Sequence, residues 1–355
     1  AQEYPAALRI CIMSGSFVQR GEPAIFSKFD RARWAILGGA DIVIELPTLY
    51  SLGSAQLFGT GAIRRVKALH IDALSFGSET ADLDTLVDIA KRMDCESTQT
   101  VLRTYINEGM SYGTAFRKAL HTEILNTPNA LLGLEYIRAG LAYNPKLEYI
   151  PILRTSNHHE ETITDGLPSG TALRQLITSP GNLSSQCITS TGNLASQLQS
   201  TIPSSIASDM TQVIENGNYL NYNRYHDMVH SLSRRTTPKE LEKFGGFNEG
   251  IEHLWAKAAQ QFSWTAATEE IKSKRYTYAR LQRMGAYLTL GITKDILPNA
   301  MEEGPQYARL LAFNDRGRQW LRNEYEIPLI QKWAKAPNEL STLGQTMHHI
   351  DTLAT

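Results

Sequence analysis

The chain has 355 residues, 42% of them apolar and 20% charged, with a formal net charge of −1. That is a globular composition with room for two domains, and it excludes a whole-molecule field that would attract a polyanion, so nucleic acid would need a local basic patch. Apolar runs such as Ala40–Leu46 are too short to span a bilayer. Cys11, Cys95 and Cys187 lie far apart with no Cys-x-x-Cys pair, which argues against a zinc site or a disulfide framework and fits a reducing cytoplasm. The sequence opens at Ala1-Gln2, without methionine or a signal-peptide pattern, and reads as starting mid-protein.

In chain order, Leu8–Met13, Asp41–Leu46 and Ala73–Phe76 are short apolar runs rich in β-branched residues and read as strands. Helical patterns follow the first and third, at Lys28–Leu37 and Leu83–Arg92. Further helices are expected at Thr98–Glu108, Tyr112–Leu120 and Asn129–Ala142, the last with Thr127 as N-cap and Pro128 in its first turn. Leu147–Leu153 reads as a late strand, and Leu167–Ile177 turns from loop into helix with Ser169 as cap. The alternation predicts an α/β fold with a Rossmann-like parallel sheet covered by helices on both faces. Near Thr178 the composition shifts to Ser, Thr, Asn and Gln. Beyond Ser208 the patterns are helical, at Ile251–Gln261, Thr268–Leu290 and Gln306–Asn323. We therefore expect an α/β domain over 1–178 and a mostly helical domain over 179–355.

In open parallel sheets, ligands bind beyond the carboxyl ends of the strands. Here those ends read Ser14-Gly15-Ser16, Pro47 and Gly77-Ser78-Glu79, small residues that let a ligand approach backbone N–H groups. Asn129 stands in the first turn of a helix, and Ser169, Thr171 and Arg174 surround another helix start suited to phosphate. Arg154 follows an apolar strand, where a cation suits a nucleotide better than the core. His158-His159-Glu160-Glu161 has no third metal ligand in view and Met347-His348-His349 is blander still, so no metal site is assigned. Walker, Rossmann Gly-x-Gly-x-x-Gly and Gly-x-Ser-x-Gly motifs are absent. The stretch Ile271–Met284, IKSKRYTYARLQRM, carries Lys272, Lys274, Arg275, Arg280 and Arg283 with no acid. On a continuous helix, at about 100° per residue, Lys272, Arg275, Arg280 and Arg283 share one face roughly 140° wide, with Tyr276 among them. A one-signed stripe with an aromatic suits an RNA backbone and a stacked base.

MSGSFVQRGEPAIFSKFDRARWAILGGADIVIELP, LSFGSE, TPNALLGLEY, the Arg154-Thr155 step with His159-Glu160 after it, and KSKRYTYARLQRM occur here in one order. In these motifs the chain resembles the bacterial tRNA(Met) cytidine acetate ligase family, from about Ala1 to at least Trp333. The resemblance implies a nucleotidyltransferase-like, ATP-binding domain of the HIGH superfamily joined to a helical tRNA-binding part. It also implies a cytoplasmic ligase that activates acetate with ATP, aided by Mg2+, and passes the acetyl group to the wobble cytidine of elongator tRNA(Met). Neither DNA nor a membrane is expected as partner. Carried over by position, Gly77, Asn129, Arg154 and Thr155 would contact ATP. Ser14, Gly15, Arg20 and Lys28 lie in the strongest motif and would form the rim of that site, and Lys272, Arg275, Arg280 and Arg283 would hold tRNA. No residue is assigned to catalysis. The family pattern begins with a strand and an Asn-Pro-Phe-His-Asn-Gly-His signature that this sequence does not contain, so an unpaired strand position and a weakened phosphate site are expected. Two competing readings stay open: a small-molecule adenylyltransferase of the same fold, and an RNA-binding module without catalysis.

Overall fold

The computed structural model describes residues 4–110, 112–154, 198–273, 275–335 and 340–355, together with Leu173, Arg174, Ile177 and Ser196. The expected helix at Leu167–Ile177, its cap Ser169, and Thr155, Thr171 and Lys274 lie outside the described residues or among their undescribed neighbours.

The first half alternates as its sequence predicts: β1 (Ile10–Ser14), α1 (Lys28–Leu37), β2 (Ile42–Leu46), α2 (Thr48–Ser51), α3 (Ala55–Ala68), β3 (Ala73–Ser78), α4 (Leu83–Met93), α5 (Glu96–Asn107), α6 (Tyr112–Leu120), α7 (Pro128–Tyr143) and β4 (Glu148–Leu153). Helix α3 has no counterpart in the sequence reading. Glycines interrupt its apolar pattern, and packing explains two of them: a Cβ at Gly61 would collide with the Tyr50 ring, and one at Gly59 would press on the backbone of α7 at 3.1 Å.

The second half contains α8 (Ser204–Glu215), α9 (Tyr222–Arg235), α10 (Pro238–Leu241), α11 (Ile251–Ala258), α12 (Trp264–Ile271), α13 (Tyr278–Leu290), α14 (Ile296–Glu303), β5 (Ala308–Phe313), α15 (Asp315–Trp320), β6 (Leu329–Ile330) and α16 (Thr342–Leu353). Two expectations are corrected. Gln306–Asn323 is a strand and a short helix, because Ala308–Phe313 is a brief apolar run that a sheet edge can claim as readily as a helix. Thr268–Leu290 is two helices, because Lys272 closes α12 with extended backbone and Thr277 opens α13.

Strand β1 pairs in parallel with β2, β2 pairs antiparallel with β5, and β5 runs parallel with β6. Strands β3 and β4 form a separate parallel pair. The sheet is therefore mixed rather than wholly parallel, and residues beyond 300 complete it. A cleft of about 560 Å³ lies between the two sheets, lined by Ile10, Cys11 and Ile12 of β1 and by Leu74, Ser75 and Phe76 of β3. The largest apolar core joins the end of β2 and helices α2 and α3 to α9–α14 and α16. None of the described helices is long and apolar enough to cross a membrane.

A buried charge cluster locks these parts together. Lys28 and Glu45 are each 1% exposed, and the Lys28 ammonium donates to Glu45 at 2.9 Å and to the Thr355 hydroxyl at 2.9 Å. Arg309 of β5 approaches the other Glu45 oxygen at 3.4 Å. Asp351 of α16 accepts from the Thr48 amide at 2.7 Å and the Tyr307 hydroxyl at 2.6 Å. Arg65, fully buried on α3, donates to the Glu45 and Tyr307 carbonyls. Burial pushes the Glu45 carboxyl up and the Lys28 amine down, so each charge depends on its partner. Removing one partner of such a pair costs about 3–5 kcal/mol. Lys28→Met is expected to lower the unfolding free energy by that amount, read as a lower urea midpoint at unchanged slope, and Lys28→Met combined with Glu45→Gln to recover part of the loss in a double-mutant cycle.

Candidate active site

The described pieces of the expected ATP site meet at the carboxyl end of β3 and β4. These strands pair in register, Gly77 with Ile152 and Ser78 with Leu153. Arg154 comes next, and its amide donates to the Ser78 carbonyl at 2.9 Å. A Cβ on Gly77 would lie 3.5 Å from the Arg154 side-chain stem, ordinary contact distance, so that stem packs beside the strand end. Arg154 Nε is buried with no hydrogen-bond partner among the described residues, a donor suited to an anionic ligand.

Asn129 stands in the first turn of α7, as its sequence position predicts. Its side-chain amide donates to Glu79 Oε1 at 2.6 Å, and the Ala130 amide donates to Glu79 Oε2 at 2.8 Å. The helix N-terminus thus holds a carboxylate from the β3 loop, the charge sign its dipole favours. Burial alone would push the Glu79 carboxyl up, but hydrogen bonds from Asn129, Thr127 and Ala130 hold it below the usual range. The sequence marks Glu79 only as part of a strand end; its spacing gives no sign that it reaches α7.

Ser14 and Gly15 stand at the carboxyl end of β1 and open a loop that folds back as a hairpin. The Ala24 amide donates to Ser16 at 2.7 Å and the Val18 amide to Glu22 at 3.0 Å. The Arg31 guanidinium gathers the loop by donating to the Ser14, Gly15 and Phe26 carbonyls. Sequence reasoning gave Arg31 no role of its own within the Lys28–Leu37 helix; its position one turn from Ser27 is the signal that it can reach back. A Cβ on Gly15 would collide with the Glu45 carboxylate. The loop tip seats on the second half of the chain: Arg283 donates to the Gln19 carbonyl at 3.3 Å, and the Tyr222 hydroxyl donates to Pro23 at 3.1 Å. Arg20 is half-buried among Glu22, Arg174 and Tyr222. Burial, then the like charge of Arg174, lowers its pKa, while burial raises that of Glu22 against the pull of both arginines.

Two sequence assignments change. Lys28 is not on the rim: its ammonium is buried and held by Glu45 and Thr355. Lys272, Arg275, Arg280 and Arg283 do not share one helical face, since the chain turns between α12 and α13, where the Ser273 amide donates to Tyr276 at 3.1 Å. Lys272 pairs with Glu269 at 3.3 Å and Arg275 with Glu249, whereas Arg280 and Arg283 lie on α13 and line a separate cleft. Thr155, Ser169 and Thr171 fall outside the described residues. No group of three or more His, Cys, Asp or Glu among the described residues is arranged to hold a metal.

A parallel strand pair whose carboxyl end gathers a glycine, a helix start and an arginine Nε without a partner among the described residues has the layout of an α/β fold that binds ligands beyond its strand ends. Consistent with this class, the chain matches the HIGH Nucleotidyl Transferase family model over residues 1–355. It is similar to the tRNA(Met) cytidine acetate ligases of Acetivibrio thermocellus, 32% identical over 91% of this chain and 80% of that protein, and Bacillus cereus, 31% identical over 91% and 84%. The crystal structure of apo Thermotoga maritima TmcAL superposes with a TM-score of 0.86 at 25% identity, covering 96% of this chain and 85% of that one. The form bound with alpha-thio ATP gives a TM-score of 0.82 at 25% identity, covering 96% and 84%. The chain belongs to the tRNA(Met) cytidine acetate ligase family, within the HIGH nucleotidyl transferases.

Two outcomes follow from the loop and the cap. Gly21 has φ +90°, and a Cβ there would collide with the Arg283 backbone nitrogen. Gly21→Ala is therefore expected to destabilise by more than about 1 kcal/mol and to speed tryptic cleavage after Arg20. Because the folded Glu79 carboxyl sits below its ordinary 4.5, its contribution is present above that pH and lost as pH falls through the lowered value. Glu79→Gln is expected to flatten the acid limb of a urea-midpoint profile.

Proposed function

We infer that this protein is an ATP-dependent ligase that acetylates the wobble cytidine of elongator tRNA(Met) in the cytoplasm. The observation that carries the reading is the kinship with proteins named for that activity, together with a TmcAL structure that holds an ATP analogue. The strand-end site supports it. Gly77 adds no side chain at the strand end, Arg154 offers an Nε without a hydrogen-bond partner among the described residues, and Asn129, at the start of α7, ties the Glu79 carboxylate beside them. Thr155, Ser169 and Thr171 belong to the same proposal by position. Mg2+ would arrive with the triphosphate, as it commonly binds through phosphate oxygens.

The chemistry divides into two displacements. An acetate oxygen attacks the α-phosphorus of ATP, forming acetyl-adenylate and releasing pyrophosphate. The cytidine N4 then attacks the acyl carbon; the C–O bond to AMP breaks, and the amine loses a proton. The chain must chiefly align the reactants and neutralise phosphate charge. Arg154 serves the second task, and Arg31 the first, by fixing the β1 loop. The anticodon loop supplies a base that is already single-stranded and cheap to unstack. Arg20, Ser14 and Gly15 on the loop would face ATP or tRNA. Lys272 and Arg275, though paired to acids at exposed positions, would add to the tRNA-facing charge of Arg280 and Arg283.

Protein incubated with ATP, labelled acetate and unmodified elongator tRNA(Met) is expected to yield N4-acetylcytidine in digested tRNA by mass spectrometry; AMP formation with a different acceptor would overturn the assignment. Loss of a charge-assisted hydrogen bond is worth about 1.5–3 kcal/mol. Arg154→Ala should therefore raise the ATP dissociation constant roughly 10- to 100-fold, as read by equilibrium dialysis.

A further inference from the structure

The corrected basic stripe leaves two cations, Arg280 and Arg283, on α13 facing a second open cleft of about 560 Å³. Lys294 joins them from the loop before α14, and Leu297, Pro298 and Met301 of α14 supply an apolar wall. No acid lines this cleft among the described residues, and neither Arg283 nor Lys294 makes an ion pair among them. The floor is built rather than incidental. Arg283 is half-buried and tied to the Gln19 carbonyl, while Arg280 lies 5.0 Å over the Tyr276 ring. Arg283 thereby ties this cleft to the loop that follows β1.

We propose that this cleft seats one unpaired nucleotide of the RNA substrate, with Arg280, Arg283 and Lys294 on its phosphate and Leu297, Pro298 and Met301 against its base. The inference rests on the tRNA reading above and adds Lys294 and the α14 wall to it. Three cations without an acid call for an anion. An apolar wall beside them calls for a ligand that also carries a flat uncharged part, and the cleft has the size of a small-ligand site. A single-stranded nucleotide offers both; a duplex keeps its bases stacked away from such a wall. Burial, partly offset by Tyr287 and reinforced by the like charge of Arg280, lowers the Arg283 pKa, and a bound phosphate would relieve that pressure.

The test measures binding of unmodified elongator tRNA(Met) by anisotropy across a KCl series, for the wild-type chain, Arg280→Gln/Lys294→Gln and Pro298→Glu. Melting midpoints check that the variants fold; the substituted side chains are at least partly exposed, outside the apolar core. The double variant should bind at least about 10-fold more weakly near physiological salt, with the log–log salt slope reduced by about 0.7 for each phosphate charge left unneutralised. Pro298→Glu should weaken binding as well, and a single-stranded oligonucleotide should compete better than a duplex of equal length. Wild-type affinity and slope in the double variant would overturn the proposal, as would failure of the wild type to bind RNA. Acetylcytidine formation is scored separately. If the wild type acetylates tRNA but the variants bind it unchanged, the subsite falls and the ligase reading stands. If the slopes drop as expected but no acetylcytidine forms, the subsite stands and the ligase reading falls.

Discussion

The structure turns on the pairing of β2 with β5. Residues 42–45 meet residues 309–313 in an antiparallel ladder, and buried charges are gathered in pairs around it. Glu45 takes Lys28 on one oxygen and Arg309 on the other, while Arg65 binds the carbonyls of Glu45 and Tyr307 from beneath. Such a cluster gives little net stability relative to apolar packing, yet it tolerates no missing member. It fixes β2, and so β1 and the Gly15 loop, to the C-terminal helix through Lys28, Thr355 and Asp351.

The loop from Ser14 to Ala24 carries that order outward. Its base is held by Arg31 and its tip by α13 and Tyr222. One short segment thereby links a strand end of the α/β sheet to the helices that would meet RNA. The proposed reaction, with activation of a carboxylate followed by delivery of a nucleobase, would require this kind of fixed geometry more than reactive side chains.

Much of the first half was legible in the sequence because strand and helix periods alternate cleanly there: Lys28–Leu37 and Tyr112–Leu120 match residue for residue. The places of Gly77, Asn129 and Arg154 at strand ends and a helix start were also legible, since these are local features. What failed depended on distant partners. Helix α3 hid behind glycines that Tyr50 and α7 require. Ala308–Phe313 carries no local mark that separates a strand from a buried helix; β2, far away in the chain, decides. Lys28 reads as a surface cation until Glu45 is placed beside it. The basic stripe failed for a local reason that was visible but outweighed: Ser273 and Thr277 interrupt the helical pattern with turn and cap residues.

The separation of β2 from β5 has a consequence for synthesis. Ile42 pairs with Phe313, so a ribosome must add most of the chain before the outer edge of β2 finds its partner. At about 5–20 residues per second, that edge waits on the order of tens of seconds, with Glu45 lacking Arg309 throughout. During this interval the nascent chain presents an apolar strand together with a carboxylate that has Lys28 but not Arg309 for a partner. The carboxylate discourages burial of that edge against a second nascent chain, so the residue that anchors the finished sheet also guards the unfinished one.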